Sequence, residues 1–375
     1  MEDVDLVIVG AGIAGASLGY RLASDLSVLV LEQESQPGYH STGRSAAMFM
    51  ESYGPPAVRA LTRASRAFYE RPPAGFADQP LLAPRGVLYV ATHGQEALLA
   101  RTQEELRLTC PSLETIDAAA AIARVPCLRP ELVHAALLEP DATDVDVHAL
   151  HQGFLRGLRR EGGRLRTDAR LESATRVGDR WELRLAGGDT VRAGVVVDAA
   201  GAWADEVARM FGAAPIGLVP HRRSAFTFKA PEGMDVSAWP TVVGVDESYY
   251  FKPDAGQLLG SPANADPTPP HDVVAEEIDV ATGIAQIEAV TTLRIRRPTR
   301  TWAGLRSFVP DGEMVIGADD ACPGFVWLAA QGGYGIQSAA AASELAASLI
   351  RGEPLPAELA RHGVNPDALS PRRLR

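Results

Sequence analysis

The sequence predicts an α/β chain, α+β overall, in which a discontinuous domain built on a parallel sheet is interrupted by an antiparallel-sheet domain. Three observations carry this. Residues 5–34 read as a complete βαβ unit. Val191–Ala199 is a continuous β-branched run of the kind buried on both faces of a parallel sheet. Between about 215 and 300 the texture changes to short alternating segments separated by prolines. A chain of 375 residues fits two domains, or one large domain with an insertion, and 46% apolar residues suffice for a real core.

The βαβ unit comes first. The apolar run Leu6–Val9 leads into Gly10-x-Gly12-x-x-Gly15. In such a turn the first glycine permits the tight bend, the second lets a pyrophosphate approach the backbone, and the third lets helix and strand pack closely. The helix expected from Ala14 to about Ala23 points its unpaired N–H groups and positive dipole end at the phosphates. The next strand, Ser27–Leu31, ends in Glu32, about 20 residues past the central glycine, where a carboxylate can hold a ribose 2′-hydroxyl. A free carboxylate there favours an unphosphorylated ribose, hence FAD or NAD rather than NADP. The domain is read as Rossmann-like.

Pro37 then opens a polar loop through His40, Ser41, Thr42, Gly43, Arg44, Ser45, Ala46 and Ala47. Helices are expected over 56–69, 95–107 and 117–124, and a strand over 84–92. Residues 144–160 show helical spacing at Val147, Leu150, Phe154 and Leu158 behind the cap Asp146. Strands at 164–167, 171–177 and 181–185 precede the β-branched run, which ends in Ala199-Ala200-Gly201-Ala202-Trp203. The inserted block offers strands at 222–229, 247–252 and 256–260 and an amphipathic helix over 272–290. The chain returns with strands at 313–317 and 324–329, then Gly332-Gly333-Tyr334-Gly335-Ile336-Gln337 and an alanine-rich helix over 337–350. These assignments give a FAD-binding domain from 1–80, 145–210 and 310–375, and a substrate domain from 81–144 and 211–309.

Charge and composition narrow the partners. A net charge of −11 argues against a nucleic-acid partner, because phosphate binding needs a basic surface. Cys110, Cys127 and Cys322 are sparse and in no metal-like pattern, which suits a reducing cytosol. The acidic first residues form no signal peptide, and no run of 18 apolar residues predicts a membrane span. The expectation is a cytoplasmic monomer or weak dimer.

The choice between flavin and nicotinamide rests on two further glycine-bearing strand ends, Asp198-Ala199-Ala200-Gly201 and Gly332-Gly333-x-Gly335, converging on one crevice. A nicotinamide enzyme usually needs one such fingerprint. A helix N-terminus beside the N1–C2=O edge of a flavin stabilises the anion of the reduced ring. FAD is therefore the expected cofactor. The segments VIVGAGIAGAS, HSTGRSAA, DAAGAWAD, AGLRSFVPDGEMVIG and AAQGGYGIQ occur in that order. Together they resemble the D-amino-acid oxidase and glycine oxidase family of FAD enzymes, with the greatest similarity to its bacterial D-arginine dehydrogenase branch, over essentially the whole chain.

The resemblance implies oxidation of an amino acid by hydride transfer from Cα to the flavin, giving an imino acid and then a 2-oxo acid. Arg306 is the best carboxylate anchor, because a guanidinium fork binds a carboxylate bidentately and so orients Cα; the family keeps an arginine here. Arg223 would reach the substrate by the family pattern, although strand alternation lets only one of Arg222 and Arg223 face inward. Tyr53 and Tyr250 align with family tyrosines that hydrogen-bond the substrate, and Gly333 with a pocket position; Tyr249 would point away from Tyr250. Expected cofactor contacts are Gly10, Gly12, Ile13, Ala14, Gly15, Glu32, Gln33, the loop from Ser41 to Met48, Leu171, Ala200, Gly201, Trp203 and Gly332 to Gln337. Covalently linked members of the family carry a cysteine near the position of Arg306, so FAD should be noncovalent here. No general base is evident, and a neutral substrate amine needs none: the protein supplies position and electrostatics.

The resemblance to the arginine branch fails at the side-chain pocket. Val87 stands where that branch has a glutamate, Met48 where it has a histidine, and Met50 replaces another polar neighbour. Burying a guanidinium without a carboxylate costs several kcal/mol, whereas an apolar lining rewards about 0.8 kcal/mol per buried methylene. Neutral, hydrophobic D-amino acids are therefore expected, unless Glu51 enters the pocket. The alternatives are a D-arginine or D-lysine dehydrogenase, and a glycine or N-alkyl amino acid oxidase. A non-catalytic flavoprotein or a tRNA-modification protein is disfavoured by the acidic charge and by Arg306. Oxygen or a quinone is the expected electron acceptor.

Overall fold

The computed structural model describes residues 2–375. Strand Glu2–Val9 lies inside an eight-stranded sheet, parallel to Thr190–Asp198 on one side and to Val28–Leu31 on the other. Val28–Leu31 pairs in parallel with Arg164–Arg166, and Thr190–Asp198 with Phe325–Ala329. Antiparallel strands extend it: Arg180–Leu185 and Leu171–Val177 on one arm, Val315–Ala318 on the other. Leu6 and Ile8 pack toward the helices Ile13–Leu22, Val147–Arg160 and Gly335–Arg351, while Val7 and Val9 share the opposite layer with Ala204, Phe211 and Trp327. Both faces are thus covered, which is why these strands read as unbroken apolar runs.

Gly10 (φ +102°) makes the turn out of the first strand, and a Cβ at Gly15 would stand 1.9 Å from the Gly10 carbonyl oxygen, so both positions exclude a side chain. Helix Gly335–Arg351 presents Ala339, Ala340, Ala342 and Ala346 as buried small residues and packs on Ile13–Leu22 and Pro56–Glu70. Asp146 caps Val147–Arg160 by accepting the Ala149 N–H at 2.8 Å, as its sequence position predicts.

The second sheet has nine strands. Its order runs Asp266–Pro267, Val219–Phe228, Gln257–Ser261, Tyr250–Asp254, Thr241–Gly244, Val87–Thr92, Val133–Glu139, Glu114–Asp117, with Arg300–Phe308 also paired to Val219–Phe228. It is antiparallel except where Thr241–Gly244 runs parallel to Val87–Thr92. A small three-stranded sheet, Met48–Phe49, Thr143–Val145 and Leu82–Pro84, joins the two regions.

Several expected boundaries shift. The 84–92 strand is two strands, separated at Gly86 (φ +72°). The helix expected from 272 begins only at Glu277, because Pro269 and Pro270 precede an extended stretch. The strand expected from 247 begins at Tyr250, since residues 246–248 form a turn with Glu247 at φ +55°. Arg300–Phe308, Val133–Glu139, Thr241–Gly244 and Glu114–Asp117 are strands that the sequence pattern alone does not declare. Among the described residues no helix is long and apolar enough to cross a membrane.

Candidate active site

A cavity of about 480 Å³ is lined from both sheets. Its nucleotide end contains Gly10, Gly12, Ile13, Ala14, Glu32, Gln33, Ser41, Thr42, Arg44, Ser45, Ala46, Ala47, Leu171, Ala200, Gly201 and Trp203. Gly332, Gly333, Gly335, Ile336 and Gln337 line it from the start of the alanine-rich helix, and Met48, Met50, Tyr53, Arg223, Tyr250 and Arg306 from the other end. Four expected residues lie outside the lining. Gly15 is consumed by helix–strand packing, and Gly43 closes the loop by donating its N–H to the Gly38 carbonyl at 2.8 Å. Tyr334 sits edge-on to Tyr53 at 5.0 Å and buttresses it from behind.

Val87 is the fourth, and its expected role is corrected. It is 0% exposed in an apolar cluster with Met50 and Tyr89. Those two side chains line the cavity and Val87 does not, so the wall is one layer thicker than the sequence suggests. Glu51 does not line the cavity either: Arg66 Nε holds its carboxylate at 2.5 Å.

The nucleotide end is preorganised by side chains. Glu32 accepts the Ala11 N–H at 3.0 Å and the Glu34 N–H at 3.0 Å, which oppose the upward push of burial on its pKa. Thr42 Oγ1 accepts the Ile13 N–H at 3.0 Å, while an added Cβ at Gly12 would meet only that Oγ1, at 3.2 Å, leaving backbone open to a phosphate. His151 Nε2 donates to the Ala11 carbonyl at 2.8 Å; burial lowers its pKa and keeps the ring neutral. His40 lines the cavity, bonded to Glu34 at 2.9 Å and packed on Trp203 at 4.6 Å. Ser41 Oγ donates to the Leu305 carbonyl at 2.6 Å, and Arg44 Nη1 to Val273 and Ala303 carbonyls at 2.8 and 3.2 Å, stitching the loop to strand Arg300–Phe308.

The other end of the cavity holds two guanidiniums. Arg306 Nη2 donates to the Tyr53 hydroxyl at 2.5 Å and the group lies over the Phe308 ring at 5.2 Å. Gly333 makes room for it, since a Cβ there would fall 2.0 Å from Nη2. Arg223 Nε donates to the Asn264 carbonyl at 2.5 Å. Burial and the adjacent Arg306 charge push the Arg223 pKa down. No carboxylate pairs with either among the described residues. Arg222 resolves the alternation: it faces the other way, into Asp266, Glu276 and Asp279. Tyr249 likewise turns into an apolar cluster while Tyr250 faces the cavity.

Sequence reasoning missed Tyr89, Thr241, Val243 and Glu247 of the lining. Tyr89 hides in an apolar strand, and Glu247 in a turn whose polar Asp246-Glu247-Ser248 could have been read as a loop between strands. His151 was detectable as a lone polar residue on the apolar face of its helix.

A fused-ring dinucleotide fits this cavity: glycine turn, ribose carboxylate and a second helix N-terminus line one continuous space. The comparisons agree. A model of the DAO family, FAD dependent oxidoreductase, matches residues 5–349. Mitochondrial dimethylglycine dehydrogenase of Mus musculus is 26% identical over 268 residues, 70% of this chain and 30% of that protein. The chain thus spans about 30% of the length of such curated relatives. Glycine oxidase from Geobacillus kaustophilus superposes with TM-score 0.82 at 22% identity, covering 97% of this chain and 99% of that one. L-proline dehydrogenase from P. horikoshii gives 0.80 at 20%, covering 99% and 98%. L-amino acid deaminase from Proteus vulgaris gives 0.82 at 15%, covering 100% and 97%. At these identities the superpositions speak for the fold, and the family match for the cofactor: the chain belongs to the DAO family of FAD dependent oxidoreductases.

Proposed function

We propose that the chain oxidises D-amino acids to imino acids, favouring neutral, apolar side chains, with residues 1–80, 145–210 and 310–375 holding FAD and 81–144 and 211–309 holding the substrate. The observation that carries the reading is the pair Arg306 and Arg223: two guanidiniums at one end of the nucleotide cavity, neither paired with an acid. A half-buried cation pair of this kind is stabilised by an anion between them, and a substrate carboxylate is such an anion. Tyr53 accepts from Arg306, so its own proton is free to donate to that carboxylate. Tyr250 lines the same end. When bound, FAD supplies the acceptor for the two electrons and the hydrogen that leave Cα. The ammonium loses a proton, the C–N bond becomes C=N, and water then releases ammonia and a 2-oxo acid. The residues named here bind and orient; FAD is expected to be noncovalent, and oxygen or a quinone takes the electrons onward.

Met48, Met50, Val243 and Ala225 give the cavity an apolar wall, which supports the neutral preference. Glu247 favours a second reading. It lines the cavity from an exposed turn, where its carboxylate could meet the head of a long cationic tail such as that of D-arginine or D-lysine. Anaerobic bleaching of the flavin by a panel of D- and L-amino acids, glycine and N-alkyl amino acids decides. Bleaching by D-leucine or D-methionine ahead of D-arginine supports the first reading. D-arginine in the lead, lost in Glu247→Gln, supports the second; bleaching by L-amino acids or sarcosine alone rejects both.

A further inference from the structure

Glu139 ends strand Val133–Glu139 and is 0% exposed, with no cationic partner among the described residues. Its carboxylate accepts the Glu51 N–H at 2.7 Å and the Ser52 hydroxyl. The nearby Cys110 thiol is pushed up to about 12 by burial and by the Glu139 charge. Ser52 Oγ in turn lies 2.7 Å from the Tyr89 hydroxyl, and Tyr89 lines the substrate end of the cavity. Burial, helped by the nearby Glu51 carboxylate, pushes the Glu139 pKa up, against the pull of the Ser52 hydroxyl and the Glu51 N–H that donate to it.

This arrangement has a direction. A hydroxyl carries one proton. Ser52 spends its proton on Glu139, so its oxygen accepts from Tyr89. The Tyr89 proton is then committed to Ser52, so a substrate group that reaches its hydroxyl from the cavity meets only oxygen lone pairs. We propose that Tyr89 is a specificity-determining residue, fixed by Ser52 and Glu139 as a hydrogen-bond acceptor toward the substrate side chain. The substrates it favours carry a hydroxyl or N–H donor at the end of an otherwise apolar side chain. The inference rests on the amino-acid reading above and narrows it.

The relay can be reversed without changing its shape. In Glu139→Gln the amide oxygen must take the Glu51 N–H, because two donors cannot face each other. The amide NH₂ then donates to Ser52, Ser52 donates to Tyr89, and the Tyr89 proton turns into the cavity. Three substrates of equal heavy-atom count read this polarity: D-homoserine ends in a donor, O-methyl-D-serine offers only an ether acceptor, and D-norvaline offers neither. In wild type, kcat/KM should rank D-homoserine above O-methyl-D-serine. In Glu139→Gln that ratio should fall about tenfold, the equivalent of about 1.4 kcal/mol, and Tyr89→Phe should bring D-homoserine down to the level of D-norvaline. Ratios that are the same in all three proteins overturn the proposal while leaving the amino-acid reading intact. A second measurement needs no turnover. The ¹³Cζ resonance of Tyr89 in the FAD-loaded protein, assigned by its loss in Tyr89→Phe, should move in both Glu139→Gln and Ser52→Ala. A resonance unmoved by either overturns the relay even if no amino acid bleaches the flavin.

Discussion

At the scale of the residue, the two guanidiniums dominate. Arg306→Ala should lower kcat/KM by about 2–4 kcal/mol of transition-state binding, as expected when one partner of a buried charge pair is removed, with FAD content unchanged. Near-native kcat/KM in this variant removes Arg306 from the site. Val87 leads to a different expectation. Because it is fully buried behind Met50 and Tyr89, Val87→Glu places an unpaired carboxylate in an apolar layer instead of at the cavity wall. That costs several kcal/mol, so the variant should melt well below wild type and gain no activity toward D-arginine. A stable variant that oxidises D-arginine puts Val87 back in the lining. Glu32 and Arg306 could be singled out because motif position and chemistry coincide, and Tyr53 because of the family resemblance. Layer order around Val87 could not, because a strand's alternation gives a face and not a depth.

At the scale of the element, the βαβ unit was readable in full, because its periodicity, glycines and terminal acid all point one way. Strand Arg300–Phe308 was not. Arg300, Thr301, Arg306 and Ser307 interrupt its apolar pattern, and it is a strand because it pairs along nine residues with Val219–Phe228. Glu247 escaped notice for a related reason: its left-handed turn is set by the strands on either side. Gly15→Ala forces a Cβ against the Gly10 carbonyl, and the purified variant should hold little or no FAD; full occupancy shows that the turn can shift. Helix Val147–Arg160 carries a pH dependence. The His151 pKa is lowered by burial, so its neutral form contributes stability in full above the unfolded value, about 6.5, and that contribution is lost as pH falls through the lower folded value. His151→Gln can still donate to Ala11 and does not titrate. Its melting temperature relative to wild type should rise as pH goes from 8 to 5, and a pH-independent gap assigns the acid sensitivity elsewhere.

At the scale of the whole molecule, the cavity is shared by two sheets, so a cofactor seated in it would bridge segments that no single element holds together. Cofactor binding should therefore stabilise the fold: at 100 times its dissociation constant FAD adds about 2.7 kcal/mol, seen as a higher melting temperature than that of the stripped protein. Acid precipitation should release all the yellow colour into the supernatant. Colour left in the pellet means a covalent bond. The two-sheet plan was visible from the change of texture near residue 215, whereas the parallel pair between Val87–Thr92 and Thr241–Gly244 was not, because partners about 150 residues apart leave no local signal.

The interleaving of the nucleotide sheet also sets an order of events during synthesis. Glu2–Val9 needs Thr190–Asp198 beside it, and that strand needs Phe325–Ala329, more than 300 residues beyond the first strand. At ribosomal speeds of about 5–20 residues per second, the glycine turn emerges on the order of 15–60 s before the alanine-rich helix that packs on its own helix. During that interval the apolar faces of Leu6, Ile8 and Leu18 lack their final cover. The nascent chain should therefore depend on holdase chaperones early, and a ribosome-stalled fragment ending near residue 300 should be soluble only while one is bound.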